Sequence, residues 1–266
     1  MNKPHLIAID VDGTLLTKEG RLSKRTKDVL LSCQRQGDAI LLSSGRPWRS
    51  LRGFYEQLGL TGPVVCYNGA LVFDPHDPSF KRLEKRLDRK AVVSIYEAFA
   101  PSLMGFMCES ETSIYIDHPN DYLGRFFPYE GMKIEKGPLS RTLKDNPFTA
   151  IFEVKERDGE RLREAVEKRA PLRFRPWHGV PYGEAYLSGV DKGSALRYVM
   201  AELGIGKENV IAFGDSDNDY EMLLLAGRPF VMEGCHSPLL LQAFPHTKKG
   251  NDQDGLALAL EDLLDA

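Results

Sequence analysis

Leu6-Ile7-Ala8-Ile9-Asp10-Val11-Asp12-Gly13-Thr14 is the stretch on which the fold turns. Four consecutive apolar residues between turn-forming neighbours predict a strand over His5–Val11, buried on both faces as in a parallel sheet. Two carboxylates close that strand, where ionised groups are costly unless something uses their charge. Strand alternation points Asp10 and Asp12 the same way, and Gly13 lets the chain turn directly behind them. Taken alone, such a pair is weak evidence, since caps and Asx turns explain most of them.

Outward from this strand the sequence alternates. Thr26, Val29, Leu30 and Cys33 follow helical spacing over Ser23–Gln36, with Gly37 suited to the C-terminal cap. Ala39–Ser43 is a second buried strand. Pro47 suits the first turn of a helix striped by Leu51, Phe54, Tyr55 and Leu58, and Val64–Tyr67 is a third strand. Strand–helix–strand repetition demands parallel pairing through right-handed crossovers. The same grammar returns late in the chain: a helix over Lys192–Leu203, a strand over Val210–Phe213, a helix through Glu221–Leu225, the short apolar run Phe230-Val231-Met232 and a helix over Leu256–Leu264.

The middle differs. Leu103–Glu109 pairs with Ser113–Asp117, and Leu172–Trp177 with Tyr182–Leu187 across the turn-prone residues 178–181. Helical patterns at Val92, Ile95, Tyr96, Phe99 and at Leu162, Ala165, Val166 lie among these strands. The expected fold class is α/β, a doubly wound, mostly parallel Rossmann-like core built from residues 1–80 and 189–266, with an α+β domain inserted at 81–188.

Three further segments stand where ligands bind in open parallel sheets, at the C-terminal ends of strands. Ser43-Ser44-Gly45-Arg46-Pro47 offers a hydroxyl, a glycine and free helix N-terminal amides, a natural anion cradle and also an ordinary helix cap. Asp191-Lys192-Gly193 opens a helix with a cation that works against the helix dipole, so another interaction must hold it. Gly214-Asp215-Ser216-Asp217-Asn218-Asp219 follows a strand and offers four potential oxygen ligands in five positions, three carboxylates and an amide, suited to Mg²⁺. A calcium loop counted from Asp215 would need Gly and Glu where the chain has Tyr220 and Ala226, which excludes it.

With 42% hydrophobic and 27% charged residues among 266, the chain has the composition of an ordinary soluble protein, and its net charge of −3 offers no long-range attraction for nucleic acid or an acidic membrane. The basic pairs Lys81-Arg82, Lys85-Arg86 and Arg89-Lys90 are interleaved with Glu84 and Asp88 and read as a solvated face. No apolar run approaches the roughly 18 residues that cross a bilayer. Met1-Asn2-Lys3-Pro4 leads into an apolar segment broken by Asp10 and Asp12, unlike a secretory signal. Cys33, Cys66, Cys108 and Cys235 are widely spaced in apolar surroundings, as expected of reduced thiols in a cytoplasmic protein. Nothing in the sequence reports an oligomeric state.

Together the four segments resemble the haloacid dehalogenase-like superfamily, whose phosphatases carry DxDGT, a Ser or Thr after the second strand, a Lys, and GDxxND: here Asp10–Thr14, Ser44, Lys192 and Gly214–Asp219. Ser44-Gly45-Arg46-Pro47, Asn68-Gly69-Ala70 and Asn251-Asp252-Gln253-Asp254-Gly255 are similar to the Cof-type subfamily, in which the inserted domain is a substrate-selecting cap. The resemblance implies a Mg²⁺-dependent phosphatase with Asp10 as nucleophile and Asp12 as general acid and base. Mg²⁺ would be held by the Asp10 carboxylate, the Asp12 carbonyl and Asp215. Ser44, Gly45 and Lys192 would hold the phosphoryl oxygens, and Asn218 and Asp219 would orient Lys192 or the metal's waters. Arg46, Asn68, Tyr182 and the Trp177-His178 pair are candidates for lining the cleft. The implied substrate is a small phosphorylated metabolite such as a sugar phosphate, pyridoxal phosphate or flavin mononucleotide. A sugar-phosphate mutase and a non-catalytic phosphometabolite-binding protein are the alternatives. In one loop the chain departs from the subfamily, with Met232-Glu233-Gly234-Cys235 in place of Met-Gly-Asn-Ala; Glu233 is expected to cap the next helix or to alter access to the site.

Overall fold

The structure is a computed structural model that describes residues 4–117, 121–124, 127–177 and 180–264. Among the described residues the strands run, in chain order, β1 (Leu6–Asp10), β2 (Ala39–Ser43), β3 (Val64–Cys66), β4 (Leu71–Phe73), β5 (Leu83–Glu84), β6 (Leu103–Glu109), β7 (Ser113–Asp117), β8 (Lys133–Lys136), β9 (Thr149–Val154), β10 (Leu172–Pro176), β11 (Tyr182–Leu187), β12 (Val210–Gly214) and β13 (Arg228–Val231). The chain divides into two compact units, one of residues 1–83 with 191–266 and one of residues 84–190. These divisions fall slightly later than the crossings expected near Lys81 and Ser188.

The first unit contains a seven-stranded sheet in the order β13-β12-β1-β2-β3-β4-β5. β1 lies parallel to both β12 and β2, and β12 is parallel to β13; β4 turns back antiparallel to β3. The chain leaves β1 toward β2 and later returns on its other side as β12, which makes the C-terminal end of β1 a topological switch point. Every residue of β1 is buried, as its continuous apolar run requires. The helix Lys24–Arg35 starts where Ser23 accepts a hydrogen bond from the Thr26 amide at 3.0 Å. The helix Lys192–Leu203 starts in a capping box: Asp191 accepts from the Ser194 amide at 2.6 Å and the Ser194 hydroxyl accepts from the Asp191 amide at 3.0 Å. Its buried face, Ala195, Leu196 and Val199, packs with Leu6, Ala8, Val210 and Ala212.

The second unit holds a six-stranded sheet in the order β10-β11-β9-β6-β7-β8, antiparallel except where β8 joins β7. Helices Arg89–Phe99 and Glu156–Glu167 contribute Val92, Ile95, Phe99, Leu162 and Val166 to a core with Phe106 and Phe152, whose rings meet at 4.9 Å. The expected hairpin strands Leu172–Trp177 and Tyr182–Leu187 pair antiparallel, with the first ending at Pro176; part of their link, including His178, lies outside the described residues.

Two local differences have clear causes. The third strand, expected to reach Tyr67, stops at Cys66 because Tyr67 and Asn68 take left-handed φ values of 49° and 53°. The central strand β9 was not anticipated: Phe148-Thr149-Ala150-Ile151-Phe152 is a short apolar run without periodicity, which strand and helix accommodate equally.

Gly193 sits where the helix Lys192–Leu203 passes Glu221, so close that a Cβ would stand 2.6 Å from the Glu221 backbone carbon. Gly53, inside the helix Trp48–Gln57, has open space instead. We therefore expect opposite signs in denaturation experiments: Gly193→Ala should cost about 1–3 kcal/mol through overpacking, whereas Gly53→Ala should gain about 0.5–1 kcal/mol through helix entropy.

Candidate active site

Asp10 is the last residue of β1, and the chain behind it closes a tight turn, with the Leu16 amide donating to the Val11 carbonyl at 3.0 Å. Gly13, at φ 81°, forms the inner wall of that turn; a Cβ there would lie 2.6 Å from Cγ of Asp215. Only glycine permits both the backbone conformation and the approach of the acidic loop after β12. Thr14 donates its hydroxyl to Asp215 at 3.3 Å and so fixes that carboxylate against the turn.

Lys192 is fully buried at the first position of its helix. Its ammonium donates to Oδ1 of Asp10 and, at 2.6 Å, to Oδ1 of Asp219. Burial alone would depress the lysine, but the charges of Asp10 and Asp219 outweigh it and raise its pKa above the ordinary value. These bonds are the interaction that holds a cation against the helix dipole. Asp219 is also committed through its second oxygen, which accepts from the amides of Asp215 and Ser216, each at 3.0 Å. It thus orders the acidic loop and aims Lys192 at Asp10.

Directly after β2, whose last residue Ser43 is paired with Asp10 in the sheet register, Ser44 is buried. Its hydroxyl accepts from the Arg46 amide at 3.1 Å, and its carbonyl accepts from the Asn68 amide at 2.9 Å. Gly45 passes beside the Asn68 side chain, where a Cβ would stand 3.0 Å from the amide nitrogen. Asn218 donates to Asn68 at 2.9 Å, so of the two residues expected to orient Lys192 it is Asp219 that contacts it, while Asn218 ties the β12 loop to the turn after β3. Arg46 grips Asp12 with two bonds, Nε to Oδ2 at 2.7 Å and Nη2 to Oδ1 at 2.5 Å. Nothing local signals that pair, because its partners are 34 residues apart. Tyr182 belongs to the other unit, buried at the start of β11 with its ring 5.9 Å from that of Trp177.

Two later segments have structural work. Ser237, rather than Glu233, caps the helix Pro238–Ala243: its hydroxyl accepts from the Leu240 amide at 3.3 Å and donates to Asp217. Glu233 is exposed, with its amide bound to the Thr247 hydroxyl at 2.9 Å, which corrects the expectation that it caps. Asn251, Asp252 and Asp254 bind the Leu16 carbonyl, the Lys18 amide and the Ser23 hydroxyl at 2.7, 2.9 and 2.5 Å. The terminal segment thereby staples the loop that follows Asp10.

The donor set suits a hard divalent cation. Asp10, Asp215 and Asp219 offer carboxylate oxygens within 4.8 Å of one another, and carboxylates with waters are the ligands Mg²⁺ takes. Four carboxylates, those of Asp10, Asp12, Asp215 and Asp219, face two cations, Lys192 and Arg46, leaving a formal excess of two negative charges. That excess adds to the cost of burying the carboxylates. Burial raises Asp10 well above the carboxylate range against the pull of Lys192, with Asp219, Asp215 and Asp12 adding to the rise. Burial, then Asp219, pushes Asp215 up to about 7. With Asp219 saturated by its own hydrogen bonds, Asp10 and Asp215 are the side chains that would hold the ion.

Comparison with known proteins agrees with this geometry. Residues 7–260 match the family of haloacid dehalogenase-like hydrolases. The chain is 31% identical over 271 residues to the 5-amino-6-(5-phospho-D-ribitylamino)uracil phosphatase YitU of Bacillus subtilis, covering 98% of this chain and 97% of that protein. It is 27% identical over 239 residues to the pyridoxal phosphate phosphatase YbhA of Escherichia coli, covering 85% of this chain and 87% of that one. A crystal structure of a haloacid dehalogenase-like hydrolase from Bacteroides thetaiotaomicron shares the fold, with a TM-score of 0.83 at 24% identity over 98% of this chain and 100% of that chain. No helix among the described residues is long and apolar enough to cross a membrane. With an aspartate at a strand end, a buried lysine and an acidic loop brought together, the chain belongs to the haloacid dehalogenase-like hydrolases and, within them, to the Cof-type phosphatases that cleave phosphoric monoesters.

Proposed function

We propose that this protein hydrolyses a small phosphorylated metabolite with the help of Mg²⁺, through an aspartyl-phosphate formed on Asp10. The observation that carries this reading is the Asp10 carboxylate at the end of β1, with one oxygen gripped by Lys192 and Asp215 beside it. Anionic phosphoryl oxygens repel a nucleophile, so catalysis is mainly positioning and charge neutralisation.

In the first step a carboxylate oxygen of Asp10 attacks phosphorus, the bond to the leaving oxygen breaks, and Asp12 gives that oxygen a proton. In the second, Asp12 takes a proton from water, the water oxygen attacks phosphorus, and Asp10 leaves as a carboxylate. Lys192, the Ser44 hydroxyl and the Gly45 amide hold the phosphoryl oxygens. Asp219 holds Lys192 in line, and Asn218 holds the Asn68 turn against Gly45. Asp10, Asp215 and the Asp12 carbonyl would hold Mg²⁺, which would supply charge neutralisation at the phosphoryl group. The second unit acts as the cap that selects the leaving group, with Tyr182 one of its contacts and Arg46 and Asn68 lining the phosphoryl end.

Support for a metabolite substrate comes from the relatives: both named phosphatases act on a phosphate ester of a small, ring-containing metabolite. Such a substrate, with four buried free cysteines, fits a cytoplasmic location. Purified protein assayed with a panel of phosphorylated metabolites should release inorganic phosphate only when Mg²⁺ is present. Asp10→Asn should lower that release by roughly 10³-fold or more, as loss of a nucleophile does. An isomeric phosphate as product, or near-native turnover by Asp10→Asn, contradicts the reading.

A pH dependence follows as well. In the cation-free protein Asp215 keeps its proton up to about pH 7, whereas the unfolded chain releases it near pH 4. The folded state therefore binds more protons between those values, so this carboxyl's contribution to stability is full below about pH 4 and is lost as pH rises toward 7. Mg²⁺ competes with that proton. The rise in thermal midpoint on adding Mg²⁺ should be larger at about pH 8 than at about pH 5, as melting curves with and without the ion will show.

A further inference from the structure

Asp12 presents an unusual arrangement for a residue that must pass a proton in both directions. Its carboxylate is 43% exposed, yet both oxygens are engaged by the guanidinium of Arg46, which is 17% exposed. A two-bond fork fixes the plane of a carboxylate as a single bond or a lysine cannot. The arginine is itself fixed from three sides. Its amide donates to the Ser44 hydroxyl, its carbonyl accepts from the Tyr67 amide at 3.2 Å, and the adjacent Gly45 packs against Asn68, which Asn218 holds. The turn that carries Arg46 is therefore anchored to the ends of β2 and β3 and to the loop after β12. An arginine reserved for a substrate's distal groups would have no need of that framework.

We propose that Arg46 is the positioning residue for the proton donor of this reaction: it acts on Asp12 rather than only lining the cleft. The inference rests on the phosphatase reading given above. When Asp12 is a carboxylate, both oxygens sit in the fork. When it carries the proton, one oxygen stays bound to Arg46 and the other presents its O–H to the leaving oxygen. As the phosphorus–oxygen bond breaks, the electron pair on the leaving oxygen takes that proton and Asp12 returns to the fork as a carboxylate. Water then supplies the proton that recharges Asp12 as its oxygen bonds to phosphorus. Arg46 remains protonated throughout and exchanges no atoms.

A residue that merely binds phosphate or supports the fold slows all substrates alike; one that places the proton donor matters most where the leaving oxygen is most basic. Benzyl, phenyl and para-nitrophenyl phosphate form a series of falling leaving-group basicity with similar shape. For Arg46→Ala, kcat/KM in the presence of Mg²⁺ should fall about 10–100-fold with benzyl phosphate and less than about 3-fold with para-nitrophenyl phosphate, a share of the factor that general acid catalysis supplies. Arg46→Lys should steepen the series in the same sense, because it keeps the charge and loses the fork. Asp12→Ala gives the reference slope for complete loss of the donor. An equal loss across the three esters in both Arg46 variants, an effect confined to KM, or no loss at all overturns the proposal and leaves the phosphatase reading standing. Failure of the unsubstituted protein to release phosphate from any of the three defeats the phosphatase reading instead.

Discussion

The buried ammonium of Lys192 is the constraint around which the rest of the site is arranged. It joins the end of β1 to a helix 182 residues later and to an acidic loop 27 residues beyond that. A cation with no solvent contact is tolerable only with partners in good geometry, and removing one partner from such a buried set typically costs about 3–5 kcal/mol. Asp219 meets that need without being consumed by it, since its second oxygen organises the amides of its own loop. Lys192 restrains one oxygen of Asp10, and Asp215 lies against the same carboxylate. Gly193 lets the helix come close enough to Glu221 for the lysine to reach.

Around this clamp the chain gathers groups at the strand ends, where backbone positions are rigid. β1 stands between β12 and β2, so the turn after Asp10, the loop after β12 and the cradle after β2 meet at one rim. Charge explains why the cluster does not balance by itself: the acidic groups outnumber the basic ones by two, and burial keeps Asp10 and Asp215 reluctant to ionise. A divalent cation bound there would offset that imbalance. The outer parts of the rim are held by polar ties from far along the chain, Asn218 to Asn68 and Asn251 to the Leu16 carbonyl.

Much of this was readable because the informative signals are local. The apolar run before Asp10, the glycine after Asp12, the misplaced charge of Lys192 and the crowding of oxygens in Asp215–Asp219 each violate or satisfy a short-range rule, and the structure brings Asp10, Lys192, Asp215 and Asp219 together. What escaped was set by distant partners. Arg46 carries no sign of its hold on Asp12, and Asn218 none of its bond to Asn68. Glu233 had a plausible capping position, but Ser237 lies immediately before the helix and has the shorter, better-placed side chain. Thr149–Val154 became the centre of its sheet only because β6 and β11 are there to pair with it. The Asn251–Asp254 segment looked like a family mark; its work as a staple for the Leu16–Ser23 loop needed coordinates.

The central claim is that phosphorus is bonded for a time to the carboxylate of residue 10. Acyl phosphates are reduced by borohydride whereas carboxylates and phosphate esters are not, so turnover quenched into borohydride converts a phosphorylated aspartate into homoserine. Peptide mass spectrometry of the quenched protein should find homoserine at position 10 when substrate and Mg²⁺ are both present, and aspartate when either is withheld. Aspartate at position 10 throughout rapid turnover, or homoserine at another position, would contradict the account.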